Sequence, residues 1–121
     1  MTVTTENKFR TRYNQSVKEI RANGVKFRTN YTACCRGCAS AEIAHKYNTD
    51  TYGFVYGGQG TKVYIQEDKV TNNTGVVNKV YIDYSTKQAG NIIKTAFENN
   101  GFTVSWSGDT AERIDVNVSV L

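Results

Sequence analysis

Between Ser85 and Val120 the apolar residues change period, and this change constrains the fold more than any other feature of the sequence. Ala89, Ile92, Ile93, Ala96 and Phe97 recur at i, i+3, i+4, i+7 and i+8, the spacing of one helical stripe. Ser85 and Gln88 have capping-box spacing before the stripe, and Gly101 stands after it as a stop. Phe102, Val104 and Trp106 then alternate, "SGDT" turns the chain, and Ile114, Val116, Val118 and Val120 alternate back. The spacing predicts a helix over 86–100 followed by two strands. A helix with one apolar stripe must bury it against another element. A strand pair with one apolar face offers that surface.

The remaining segments extend this pattern. Phe9, Tyr13, Val17 and Ile20 share one face of a helix predicted over 5–23, which Gly24 ends as a left-handed cap. Strands are expected at 25–29, 52–56, 62–66 and 78–84, the last with Val80, Ile82 and Tyr84 on one face. The turn "GGQG" (57–60) makes 52–56 and 62–66 a hairpin, and 67–75 reads as a polar loop. A short helix is expected over 38–47, where Ala, Glu and Lys are frequent. Strand and helix do not alternate regularly, so a doubly wound parallel sheet is disfavoured. The expected class is α+β: a single domain over 1–121, with an antiparallel or mixed sheet of about five to six strands, two main helices and one short helix.

The length of 121 residues suits one domain with its own core. Eight tyrosines, five phenylalanines and one tryptophan argue for a folded chain. The net charge of +4 permits attraction to anionic partners without specifying one. No apolar run approaches the roughly 20 residues of a membrane span. The start, MTVTTENKFR, lacks a signal-peptide core. A cytoplasmic setting, in the protein's own cell or a host's, is the expectation. The odd number of cysteines, three, fits a reducing compartment.

Chemistry-bearing residues concentrate in "RTNYTACCRGCASAEIAHKYN" (28–48), which holds every cysteine and the single histidine. Cys35 and Cys38 have the C-x-x-C spacing with which two thiolates grip one ion from a tight turn, and His45 is a candidate further ligand. A second C-x-x-C or H-x-x-x-H pair is missing, and Cys34 is expected to point away from its neighbour. Three readings stand: zinc at Cys34, Cys35, Cys38 and His45; thiol redox chemistry; or small cysteines packing a buried turn. His45 alone reads as a surface residue, since no partner for a catalytic triad is identifiable. No P-loop, G-x-S-x-G or H-E-x-x-H occurs, and no acidic pair is singled out as general acid and base. Tyr52, Tyr56 and Tyr64, with Gln59, form one candidate ligand or partner surface. Arg10, Lys18 and Arg21 form another.

The quoted segments "ACCRGCASAEI", "YGFVYGGQG", "VYIDYS" and "NIIKTAFENNGFTVSWSGDTAERIDV" occur in the order seen in an uncharacterised bacterial and phage domain family, which this chain resembles over residues 28–118. That family has a Cys-Cys-x-x-Cys segment, a strand ending in a Tyr-Tyr-His-x-Gln-Asp-like motif, an amphipathic helix and a closing Gly-Leu-x-Val-x-Trp-x-Gly hairpin. The resemblance implies no activity. Where the family's strand motif has His and an acid, this chain has Tyr56-Gly57-Gly58-Gln59-Gly60, and only Tyr56 and Gln59 match. If that motif carries chemistry in relatives, its loss here points to a non-enzymatic binding or accessory protein without a cofactor. A phage-encoded inhibitor of a host protein fits this description, and another protein is the expected partner. Homodimerisation through an exposed final strand is a further expectation. The alternatives are a zinc- or thiol-dependent protein centred on Cys34–Cys38, and a nucleotide or nucleic-acid binder.

Overall fold

The computed structural model describes residues 9–57, 62–67 and 69–118. Helix α1 (Phe9–Ala22) buries Tyr13, Ser16, Val17 and Ile20, a stripe at i, i+3, i+4 and i+7. Gly24 follows at φ +89°, in the left-handed region that glycine adopts without steric cost. Strand β1 (Lys26–Tyr31) leads into α2 (Arg36–Lys46), and β2 (Tyr52–Tyr56) runs parallel to β1. The short helix is thus the crossover of a β-α-β unit, the connection that parallel neighbours need.

Strands β3 (Tyr64–Ile65), β4 (Val70–Asn72) and β5 (Gly75–Val76) form a small antiparallel sheet of their own. Strand β6 (Lys79–Tyr84) returns to the main sheet, and α3 (Lys87–Asn99) carries the chain across to β7 (Thr103–Ser105) and β8 (Ile114–Asn117). The main sheet has five strands in the order β1-β2-β6-β8-β7. Its β1–β2 pair is parallel and the other pairs are antiparallel, so the sheet is mixed and the class is α+β.

Alternation along the strands sorts side chains into two layers. One face of the sheet sends Phe27, Val55, Val80, Ile82, Ile114 and Val116 into a core with α1 and α3. On the other face, Tyr52 and Phe54 pack against Ala39 and Ile43 of α2. Burial on this scale stabilises by roughly 25 cal/mol per Å² of apolar surface, so the larger layer dominates.

Several expectations need correcting. The 62–66 segment does not pair with β2; it joins β4. Asn30 explains why the segment stays close to β1: its Nδ2 donates to the Val63 carbonyl (2.7 Å), and its Oδ1 accepts from the Val63 N–H (3.1 Å). One side-chain amide replaces a strand partner there. The 67–75 stretch read as loop contains β4 and the start of β5, because Val70 is fully buried in the main core. The cap of α3 is Thr86, whose Oγ1 accepts from Ala89 N at 3.1 Å. Ser85 instead accepts from Tyr52 N at 2.8 Å and ties the sheet to the turn. The final strand is not an edge: β8 lies between β6 and β7, so β1 and β7 are the edges. Residues 5–8 of the predicted first helix, and Val120 of the predicted last strand, lie outside the described residues.

Candidate metal centre

Helix α2 begins on its cysteines. Cys35 is the N-cap, with extended backbone, and its Sγ accepts from the Cys38 N–H at 3.3 Å. This is the task that Ser or Asp usually performs, satisfying one of the helix's orphan N–H groups. The first helical bond, Ala39 N–H to Cys35 carbonyl, measures 3.0 Å. Cys38 sits three residues into the helix and therefore returns above the cap. Cys34, just before the cap, lies with its Sγ 2.7 Å from that of Cys38. The expectation that Cys34 points away is wrong, because the extended cap swings the preceding residue back over the first turn. All three Sγ atoms lie within 4.8 Å of one another. Cys34 and Cys35 are exposed and Cys38 is half-buried, so the reading of these cysteines as buried packing residues also fails.

The electrostatics of the cluster follow from its place. The Cys38 N–H and the Cys38 thiol lower the pKa of Cys35, an effect that burial only partly opposes. The same hydrogen bonds act against Cys38: the sulfurs of Cys34 and Cys35, with burial, push it up to about 12. One thiolate is thus stabilised at the helix N-terminus, where the backbone dipole favours negative charge. A third proton leaves only when something compensates the accumulated charge.

The surroundings hold the loop in place. Tyr56 donates from its hydroxyl to the Ala33 carbonyl at 2.6 Å, pinning the approach to α2 onto the end of β2. Its pKa is raised by burial first and then by the negative charge of the three cysteines, which places it beside them. Arg36, within the motif, reaches Asp83 of β6, Nε to Oδ1 at 3.4 Å.

Other sequence candidates lie elsewhere. His45 is not among the groups that converge with the cysteines. It is exposed, and seven residues of helix separate it from Cys38, a rise of roughly 10 Å. Tyr52 is buried, with its hydroxyl bonded to Ser40 Oγ, so it offers no partner surface. Tyr64 is 48% exposed but sits on the small sheet, away from Tyr52 and Tyr56. Gln59 lies outside the described residues. Arg10 and Lys18 are exposed on α1, behind the sheet from α2. Arg21 is committed to the fold, with Nη2 donating to the Phe27 carbonyl at 2.8 Å. The three tyrosines therefore do not share one surface, and of these α1 cations only Arg10 and Lys18 remain uncommitted among the described residues. Arg36, Asp83 and the role of Tyr56 beside the thiols were missed; only the arrival of Arg36 in the same motif hinted at them.

No helix among the described residues is long and apolar enough to cross a membrane. A family model described as a domain of unknown function (DUF6891) matches residues 5–120. No curated protein and no solved structure matches the chain.

Proposed function

The chain belongs to the DUF6891 family, domains of unknown function, and from that premise we propose that it binds one thiophilic metal ion, zinc in the first place, through Cys34, Cys35 and Cys38. One observation carries this reading: three thiol sulfurs from a five-residue segment lie within 4.8 Å of one another at the protein surface. Zinc–thiolate bonds are about 2.3 Å, which in a tetrahedron puts sulfurs roughly 3.8 Å apart. Cys34 and Cys38, now 2.7 Å apart, would open to that spacing around an ion. The positive charge would also offset the repulsion that holds the Cys38 proton in place.

Among the described residues no fourth Cys, His, Asp or Glu joins the group. A tetrahedral ion would keep one position for solvent or a small ligand, the coordination of an accessible site rather than a closed structural one. Copper(I), content with three soft ligands, is the competing ion of the same class. The phage origin, the inhibitor role and the protein partner expected from the sequence find no comparable support in the geometry.

The test is metal content. The untagged protein, purified under reducing conditions, is expected to carry about one zinc per chain. Cys35→Ser is the informative variant, because serine keeps the helix cap while removing a thiolate. It is expected to fold and to lose the metal. Wild-type protein that takes up neither zinc nor copper(I) would overturn the proposal. So would a Cys35→Ser protein that binds as tightly as wild type.

A further inference from the structure

At the opposite end of α2 from the cysteines, Tyr47 gathers cations from two different elements. The Nζ of Lys26 lies 4.6 Å from the centre of its ring, that of Lys46 5.6 Å, and the guanidinium carbon of Arg28 5.7 Å. Arg28 also donates from Nη1 to the Tyr47 hydroxyl and stands 5.4 Å from the Tyr31 ring. Lys46 belongs to the last turn of α2, where a cation suits the helix dipole. That reason does not reach Lys26 and Arg28, which come from the edge strand β1.

Among the described residues, no carboxylate lies within 4.0 Å of the charged nitrogens of Lys26, Arg28 or Lys46. The nearby acids point at hydroxyls rather than at these cations: Glu42 accepts from the Tyr31 hydroxyl at 3.0 Å, and Asp50 from Thr51 Oγ1 at 3.1 Å. Arg21 adds a fourth cation, lining a shallow recess with Lys26, Tyr47, Asn48 and Thr49. Like charges brought this close repel one another, and the tyrosine face only partly offsets this. An anion placed among them removes the repulsion.

We propose that the Lys26–Arg28–Lys46 cluster around Tyr47 binds a single phosphate group carried by a small molecule. Each of the three cations lies within 6 Å of the same ring centre, and the two exposed lysine side chains can turn toward one tetrahedral oxyanion beside it. Guanidinium and ammonium donors are the protein groups that recognise such oxygens. The ring itself is flanked by cations, which argues against its use as a platform for stacking bases. This site is separate from the thiols and does not depend on the metal.

The experiment is an NMR amide titration of the full chain at low salt, with inorganic phosphate, then a nucleoside monophosphate, then a short single-stranded oligonucleotide. Saturable shifts at Lys26, Arg28, Lys46 and Tyr47 with inorganic phosphate are expected, with equal or tighter binding of the nucleoside monophosphate. Lys26→Ala with Lys46→Ala should weaken phosphate at least tenfold, whereas Arg10→Ala with Lys18→Ala on α1 should not. Tyr47→Leu should weaken it while leaving every cation in place. The proposal is overturned if phosphate shifts nothing, or shifts the α1 cations equally. It is also overturned if only the oligonucleotide binds, with the steep salt dependence of several phosphate contacts.

Discussion

Gly90 of α3 and Trp106 lie in contact so close that a side chain at position 90 has no room. A Cβ there would stand 2.6 Å from Cη2 of the Trp106 ring and 2.9 Å from Cζ2. The ring cannot easily retreat. Its Nε1 donates to the Tyr84 hydroxyl at 2.8 Å, and it packs edge-on against the Tyr84 ring with centroids 5.2 Å apart. Gly90→Ala would gain about 1 kcal/mol of helix propensity and lose roughly 1–3 kcal/mol or more to overpacking. A net destabilisation of up to about 2 kcal/mol is expected in denaturant unfolding. In a Trp106→Phe background the same substitution should cost less, since the clashing atoms are gone. Equal cost in both backgrounds would contradict this account of the glycine.

Asp83 gives a pH dependence of definite sign. Its Oδ2 is buried without a hydrogen-bond partner, and its Oδ1 meets Arg36. Burial raises its pKa by more than Arg36 and Arg113 lower it. A carboxyl whose folded pKa exceeds its unfolded value holds its proton more tightly when folded. Stability is therefore lost as pH rises from the ordinary aspartate range through the folded pKa, and is constant above it. Asp83→Asn cannot titrate. Relative to wild type, its stability should improve as pH rises from below about 4 to 7. A change in the opposite direction would mean that the Arg36 ion pair outweighs desolvation.

The thiols should react in a fixed order. In reduced, metal-free protein near neutral pH, Cys35 should be alkylated first, since hydrogen bonds from Cys38 lower its pKa. Cys38 should be last, with its pKa at about 12. Peptide mass spectrometry after brief iodoacetamide treatment reads the order directly. Cys38 labelling as fast as Cys35 would contradict the proton arrangement described.

Chelation should loosen the protein without unfolding it. The core between the sheet and α1 with α3 does not involve the cysteines, and α2 is held through Ala39 and Ile43. Binding at a free metal concentration 100 times Kd adds about 2.7 kcal/mol, equivalent to a Tm shift on the order of 10 °C. Circular dichroism after chelator treatment should show a cooperative transition at that lower temperature. A chain that unfolds outright would make the metal structural, as in a zinc finger.

Much of the fold was legible in the sequence, for a physical reason. The stripes of α1 and α3 and the alternation of β6 and β8 each bury one face, and period follows burial directly. Pairing was less legible. Nothing in residues 62–66 says that they join β4 rather than β2. That choice rests on the Asn30 amide, more than 30 residues away in sequence, taking both backbone groups of Val63. At the site, the C-x-x-C spacing foretold Cys35 and Cys38. Cys34 was misread because adjacent residues diverge in a regular element, and Cys35 is a cap with φ −160° that belongs to none. His45 was the natural fourth ligand by composition, but two helical turns carry it too far. The Tyr47 cluster was invisible because its cations come from β1 and from the far end of α2.

Cobalt(II) titration of the reduced, metal-free protein tests the central claim most directly, because the spectrum reports ligand type and geometry together. The account predicts one equivalent bound, thiolate-to-cobalt charge-transfer absorption, visible bands of tetrahedral intensity, and displacement of cobalt by zinc. Affinity should rise with pH, since the ion competes with thiol protons. Cys35→Ser should diminish the charge-transfer band and weaken binding. A spectrum without charge transfer, or one unchanged by Cys35→Ser, would contradict a metal centre built from Cys34, Cys35 and Cys38.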